Sequence, residues 1–295
     1  VTRRRHPRRL PVLVLAVLVV APAVPAGAHT LQVVWHPARP RVGDVAWVHV
    51  ARVPTEAVVE GSVMGRPLHF FPYAGGQAAL VGFDVETKPG PEPWRLAVLR
   101  PRQDPEIAGG TIVVSKREFT VERLTLPRRM VDLDPETERR AVNEAERLTT
   151  LYRVVTADRL WRGPFTRPVA GSGVGTGFGA RRVINGQRRA PHTGIDYAAP
   201  RGTPVVAAND GRVAMVADHF FPGRLVVLDH GLGLYTLYFH LEDVRVTTDE
   251  RVTRGQTIGT VGATGRATGP HLHFGALLGG ARIDPTVLLG LRFVD

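Results

Sequence analysis

At 295 residues the chain can hold one large or two ordinary domains, and without cysteine it has neither disulfides nor thiolate metal ligands, so any metal must sit on His, Asp or Glu. The formal net charge of +11 suits an anionic partner such as a cell wall or a membrane surface. No RNA- or DNA-reading motif accompanies it, so a nucleic-acid partner is not expected.

Residues 1–28 join a basic start (Arg3, Arg4, Arg5, Arg8, Arg9) to an apolar run from Leu10 to Val20 and a small-residue pattern, Ala26-Gly27-Ala28. This is the pattern of a secretory signal peptide cleaved after Ala28. The apolar run stops short of the ~20 residues a membrane-spanning helix needs, so no stable membrane insertion is expected after cleavage. The leader's five arginines account for five of the charges, leaving +6. The expected location is secreted, in the periplasm or cell envelope.

From 29 to 126 short alternating runs are separated by Gly and Pro punctuation. Leu31–Trp35, Val45–Val53, Val58–Val63, Ala79–Val85, Trp94–Leu99 and Thr111–Val114 predict the strands of a small β-sandwich. Its histidines have no metal-ligand spacing. Residues 127–160 form a helical linker: Asp134 caps, Pro135 takes the first helical position, and Ala141, Ala145, Leu148 and Leu151 give a helical stripe.

The remainder, 161–295, reads again as strands and tight turns, giving an all-β protein with a helix between two β-domains. The glycine-rich stretch 171–177 is no phosphate loop, since no Lys-Ser/Thr or helix signal follows it. His219 is expected in an exposed loop and His230 in a turn, both as structural residues.

Three clusters in this part carry possible chemistry. In Gly269-Pro270-His271-Leu272-His273-Phe274 a strand would set His271 and His273 side by side. In His192-Thr193-Gly194-Ile195-Asp196 a straight strand would hold His192 and Asp196 ~13 Å apart, so the segment must curl, with Gly194 as the permissive residue. In Tyr235–Leu241 alternation would put Tyr238 and His240 on one face, backed by Leu237, Phe239 and Leu241. His192 and Asp196 with His273 would leave a fourth tetrahedral position for water, as catalytic zinc requires.

Together, HxxxD, the YxHL strand and GPHLHF resemble the lysostaphin-like (LytM-type) zinc metallopeptidases that cut peptide cross-links of bacterial peptidoglycan. Phe178-Gly179, Gly202-Thr203-Pro204-Val205, Asp210-Gly211 and Asp229-His230-Gly231 agree with that family's framework over about residues 165–289. The resemblance implies an antiparallel sheet of the duplicated hybrid motif type and one Zn²⁺ per chain on His192, Asp196 and His273. It implies His240 and His271 as catalytic histidines, with Tyr238 a candidate for oxyanion or substrate contact. Gly177 departs from the serine-containing turn common in the family and is expected to touch no ligand. A non-catalytic wall-binding or hydrolase-activating protein on the same fold would usually lack some ligands, and this chain has all of them. The sequence leaves open the bond cleaved and the oligomeric state; the amino-terminal sandwich could bind wall polymer, position the enzyme or cover the groove, and partial occlusion of the site is the expectation.

Overall fold

The computed structural model describes residues 31–292 apart from 174 and 176. The expected signal peptide lies outside the described residues. The fold is mostly β, as expected.

Strands β1 (Gln32–His36), β2 (Val45–Ala51), β3 (Val58–Val63), β4 (Arg66–Pro67), β5 (Phe70–Tyr73), β6 (Gly76–Gly82), β7 (Gly90–Leu99) and β8 (Glu106–Val114) build two facing sheets. Their orders are β1-β2-β6-β5 and β4-β3-β7-β8. Alternation in β2 turns Ala46, Val48 and Val50 into the space between the sheets, where they meet Val59, Leu96, Val98 and Ile112.

β9 (Val121–Leu124) leaves the sandwich and runs parallel to β10 (Arg181–Ile184), which forms a hairpin with β11 (Gln187–Arg188). Helix α1 (Pro135–Leu151) starts as the sequence predicts: the Asp134 carboxylate accepts from the backbone N–H groups of Glu136 and Thr137 at 3.0 Å.

The large sheet contains β12 (Gly194–Ala198), β14 (Gly211–His219), β15 (Gly223–Asp229), β16 (Leu234–Val244), β17 (Arg251–Val252) and β19 (His271–Leu278). Its path is β12-β19-β16-β15-β14-β17. β13 (Pro204–Val206) pairs with β18 (Thr257–Val261), β18 with β16, and β20 (Ala281–Ile283) with β19; α2 (Pro285–Gly290) ends the described chain. β15, β16 and β19 are near-continuous apolar runs because both their faces are covered. One face joins the main core of Leu228, Tyr238, Leu272 and Phe274, and the other packs Tyr235, Leu237 and Leu277 under Leu148, Leu151 and Tyr152 at the carboxyl end of α1.

The chain crosses positions 126 and 160 without a break in packing. Phe71 of the sandwich meets Trp161 edge-on at 5.6 Å, and Trp161 is buried. Arg282 after the turn from β19 donates to the Asp84 carboxylate at 2.7 and 2.9 Å and to Glu86 at 2.7 Å. Burial opposes ionisation of Asp84, but the Arg282 hydrogen bonds outweigh it and hold the carboxyl below its usual range. These contacts sit at the Leu278 end of β19, away from His271.

A polar chain runs through the main core. The His230 Nδ1–H donates to the Asp210 carbonyl at 2.7 Å, so Nε2 accepts from the Thr236 hydroxyl at 2.7 Å. Burial pushes the His230 imidazole down to about 4, despite that carbonyl. Between pH ~6.5 and ~4 the unfolded chain therefore binds a proton that the native state refuses. The contribution is complete above pH ~6.5 and is lost as pH falls towards 4, about 3 kcal/mol in all. Urea midpoints measured in chelator from pH 7.5 to 4.5 should fall more steeply for the natural chain than for His230→Gln; equal slopes would refute this assignment.

Candidate metal and catalytic site

β12 lies antiparallel to β19 with Asp196 directly opposite His273, and β16 flanks β19 on its other side with Phe239 opposite His273. Alternation along β19 brings His271 and His273 to the same side, both facing the Asp196 Oδ1, at 3.9 and 2.9 Å. His192 precedes β12. Its N–H donates to the Ala180 carbonyl at 2.9 Å and its carbonyl accepts from the Gly179 N–H at 2.7 Å, which pulls the chain out of line with the strand. The bend thus falls before Gly194, not at it. Gly194 lies within a regular strand and is needed for space, since a Cβ there would come 2.6 Å from the His273 Nε2.

His192 Nε2, His273 Nδ1 and Asp196 Oδ1 form a triangle with sides of 2.8, 2.9 and 3.1 Å. Hydrogen bonds alone cannot satisfy it. If both imidazoles donate to the carboxylate, their two N–H groups face each other; if one does not, its lone pair faces the carboxylate. A cation shared by three lone pairs resolves the conflict, and two imidazoles with one carboxylate form a donor set that zinc accepts. The residues fit the metal that the sequence suggested.

The electrostatics agree. Burial pushes His273 down to about 4, against the pull of Asp196, and keeps it in the neutral form that binds metal. Burial also opposes the charge on Asp196, but hydrogen bonds from His192 and His273 prevail and hold its carboxyl well below the usual range. The second Asp196 oxygen lies 3.7 Å from Arg182, whose Nε donates to Glu122 of β9 at 2.8 Å. The His273 ring stacks on Phe239 at 5.3 Å.

His240 and His271 stand beside this triangle with ring centroids 4.8 Å apart. Each faces a backbone carbonyl through Nδ1: His240 faces Thr264 at 2.8 Å and His271 faces Gly269 at 2.9 Å. A carbonyl only accepts, so both Nδ1 atoms carry the proton and both Nε2 atoms are free to accept one. Burial, reinforced by His273 and His271, pushes His240 down to about 3.

Several expectations are corrected here. His240 has a left-handed backbone, φ +63°, which breaks the alternation of β16 and turns its ring towards His271, away from the face of Tyr238. Tyr238 is fully buried, with its hydroxyl accepting from the Ala208 N–H at 2.8 Å and lying 3.0 Å from that of Thr236. It belongs to the polar chain of His230 and offers nothing to an oxyanion. His219 is buried at the end of β14, not exposed in a loop.

Gly177 does touch a ligand: a Cβ there would lie 2.5 Å from the His192 Nδ1, and its φ is +96°. Gly177→Ala should displace the His192 ring and weaken zinc binding by about 10- to 100-fold, as loss of outer-shell support does. Competition with a chromophoric chelator measures this; unchanged affinity would show that the ring has room to yield.

A two-histidine, one-carboxylate set on a sheet edge, with two further histidines alongside, defines a metallopeptidase-type site. The family model described as Peptidase family M23 matches residues 190–285. A crystal structure from Pseudomonas aeruginosa assigned to peptidase M23 is 30% identical, with a TM-score of 0.67 over 85% of this chain and 96% of that one. The chain belongs to peptidase family M23. Among curated relatives, the peptidoglycan DD-endopeptidase ShyC of Vibrio cholerae is 46% identical over 114 residues, 38% of this chain and 26% of that protein. The DD-carboxypeptidase/endopeptidase Mpg of Neisseria meningitidis is 46% identical over 94 residues, 32% of this chain and 22% of that protein. The chain thus spans about a quarter of the length of the curated relatives it matches.

Proposed function

We propose that this protein is an exported zinc endopeptidase that hydrolyses peptide cross-links of peptidoglycan. The observation that carries the reading is the convergence of His192 Nε2, Asp196 Oδ1 and His273 Nδ1 beside two further histidines with free Nε2 atoms. Bound zinc supplies a Lewis acid that polarises the scissile carbonyl and acidifies water. The rest is the work of side chains. His271 Nε2, at the edge of the triangle, and its neighbour His240 take the proton of the attacking water and return one to the departing amine. The carbonyls of Thr264 and Gly269 fix both rings in the accepting tautomer.

Relatives named as peptidoglycan endopeptidases support the substrate class, as does the basic charge. Export rests on the leader pattern. Among the described residues no helix is long and apolar enough to cross a membrane. The contacts of Arg282 with Asp84 and Glu86 at the Leu278 end of β19 support a positioning role for the sandwich over the expected occlusion of the histidines.

The test is to incubate the zinc-loaded protein with purified peptidoglycan and read the released fragments by mass spectrometry. New termini at cross-links are expected, with about one zinc per chain. A folded protein that takes up no zinc and leaves cross-links intact would end the reading.

A further inference from the structure

Helix α1 reaches the histidine pair through the turn that joins β14 to β15. Glu144, in the third turn of the helix, lies against that hairpin with its side chain only 13% exposed. One of its carboxylate oxygens accepts from the Phe220 N–H at 2.6 Å, and the other accepts from the Arg140 Nε–H at 2.7 Å. Arg140, one helical turn earlier, also donates to the Asp218 carbonyl at 3.3 Å. The helix thus grips the hairpin at 218 and at 220, and the bond to the Phe220 N–H is of the stronger, charge-assisted kind.

The far side of the same turn bears on His240. The Phe221 carbonyl accepts from the Arg266 N–H at 2.9 Å, and the Pro222 carbonyl accepts from the His240 N–H at 2.8 Å. Gly223 and Gly265 meet backbone to backbone: a Cβ on Gly223 would come 2.6 Å from the Gly265 nitrogen, and one on Gly265 would come 2.3 Å from the Gly223 nitrogen. The Arg224 N–H donates to the Thr264 hydroxyl at 3.0 Å. With no side chain between them to yield, a shift of the turn passes to the loop that carries Thr264. His240 is therefore held twice by one assembly, its N–H by Pro222 and its Nδ1–H by the Thr264 carbonyl at 2.8 Å. Its left-handed backbone, φ +63°, is unfavourable for a residue other than glycine and persists only where the surroundings impose it.

We infer that Glu144 is a positioning residue for the histidine pair: by fixing the turn at Phe220 it keeps His240 in the left-handed conformation that aims its ring at His271. The inference rests on the peptidase reading above, and it brings into the site a helix outside residues 190–285, the part that the family model matches. Docking of the helix is supplied separately by Leu148, Leu151 and Tyr152 against the sheet, so Glu144 can be replaced without undocking α1.

The experiment compares E144A and E144Q with the natural chain, all zinc-loaded, by turnover of a cross-linked peptide and by NMR exchange of backbone amides. E144A should lower kcat by about 10- to 100-fold, since a misplacement of ~1 Å costs up to about 10²-fold, with KM and zinc affinity within about twofold of natural. Its His240 amide should exchange at least about 10-fold faster while that of Thr236, in the same strand, is unchanged. E144Q keeps an acceptor for the Phe220 N–H but not the charge, and should fall between the two. Natural kcat or natural His240 exchange in a folded E144A would overturn the inference, as would faster exchange spread evenly along β16, which marks general loosening. If E144A did not fold, selective quickening of the His240 amide in E144Q would uphold the inference and its absence would overturn it. If the natural chain cut no cross-linked peptide, the peptidase reading would fall, and amide exchange would still decide whether Glu144 holds His240.

Discussion

Asp196→Ala is expected to lose zinc and wall hydrolysis together while the fold stays intact. Asp196 Oδ1 is the point on which His192, His273 and His271 all converge, at 3.1, 2.9 and 3.9 Å. Without it, two imidazoles face each other across 2.8 Å, too few donors to retain the ion. Arg182, 3.7 Å from the carboxylate, would then present an uncompensated positive charge to any incoming cation. The loss of affinity should exceed the ~10- to 100-fold that removal of an outer-shell partner costs. Alanine is tolerated in the backbone, because Asp196 is a partly exposed residue of a strand that, among the described residues, pairs only with β19. Asp196→Asn keeps the shape but not the charge and should also release the metal. Metal analysis after dialysis, circular dichroism and fragment release from purified walls provide the readouts. A folded Asp196→Ala chain that keeps about one zinc would show that the triangle is not the site.

The parts of this site that were legible in the sequence are those in which a local rule is enough. Alternation placed His271 and His273 on one side of β19, and the Asp134-Pro135 start located α1. What stayed hidden is set by contacts between distant segments. The turn at His192 is made by hydrogen bonds to residues 179 and 180, which no spacing rule within HxxxD contains. The flip at His240 comes from a positive φ in the middle of a strand, where its N–H is drawn to the Pro222 carbonyl; with that flip goes the expectation that Tyr238 shares its face.

Glycines show the same limit. Gly177 and Gly194 read as turn formers, yet each is small because a ligand ring occupies the space where its side chain would go. The parallel pairing of β9 with β10 was equally invisible, since neither strand has a strong apolar pattern. It matters for the site, because it brings Glu122 to Arg182 and thereby restrains the charge behind Asp196.

The second large effect concerns the histidine pair. His240→Asn and His271→Ala should each lower kcat by ~10²- to 10⁴-fold, the usual worth of a positioned acid or base, and leave zinc bound. Asparagine is the better replacement at 240 because it tolerates the left-handed backbone there, φ +63°, which alanine adopts at a cost. Its amide can still donate to the Thr264 carbonyl, so the loop is preserved and only the accepting Nε2 is removed. At 271 the strand backbone is regular, and alanine removes the ring without strain. The rings are 4.8 Å apart and both border the metal triangle, so their effects should not multiply. If the two serve one proton path, the double variant should be little slower than the worse single one. If each acts on its own proton, one on the water and one on the amine, the losses should approach their product. Either histidine could be dispensed with only if its Nε2 took no part, and near-natural kcat in His271→Ala with zinc retained would remove it from the mechanism.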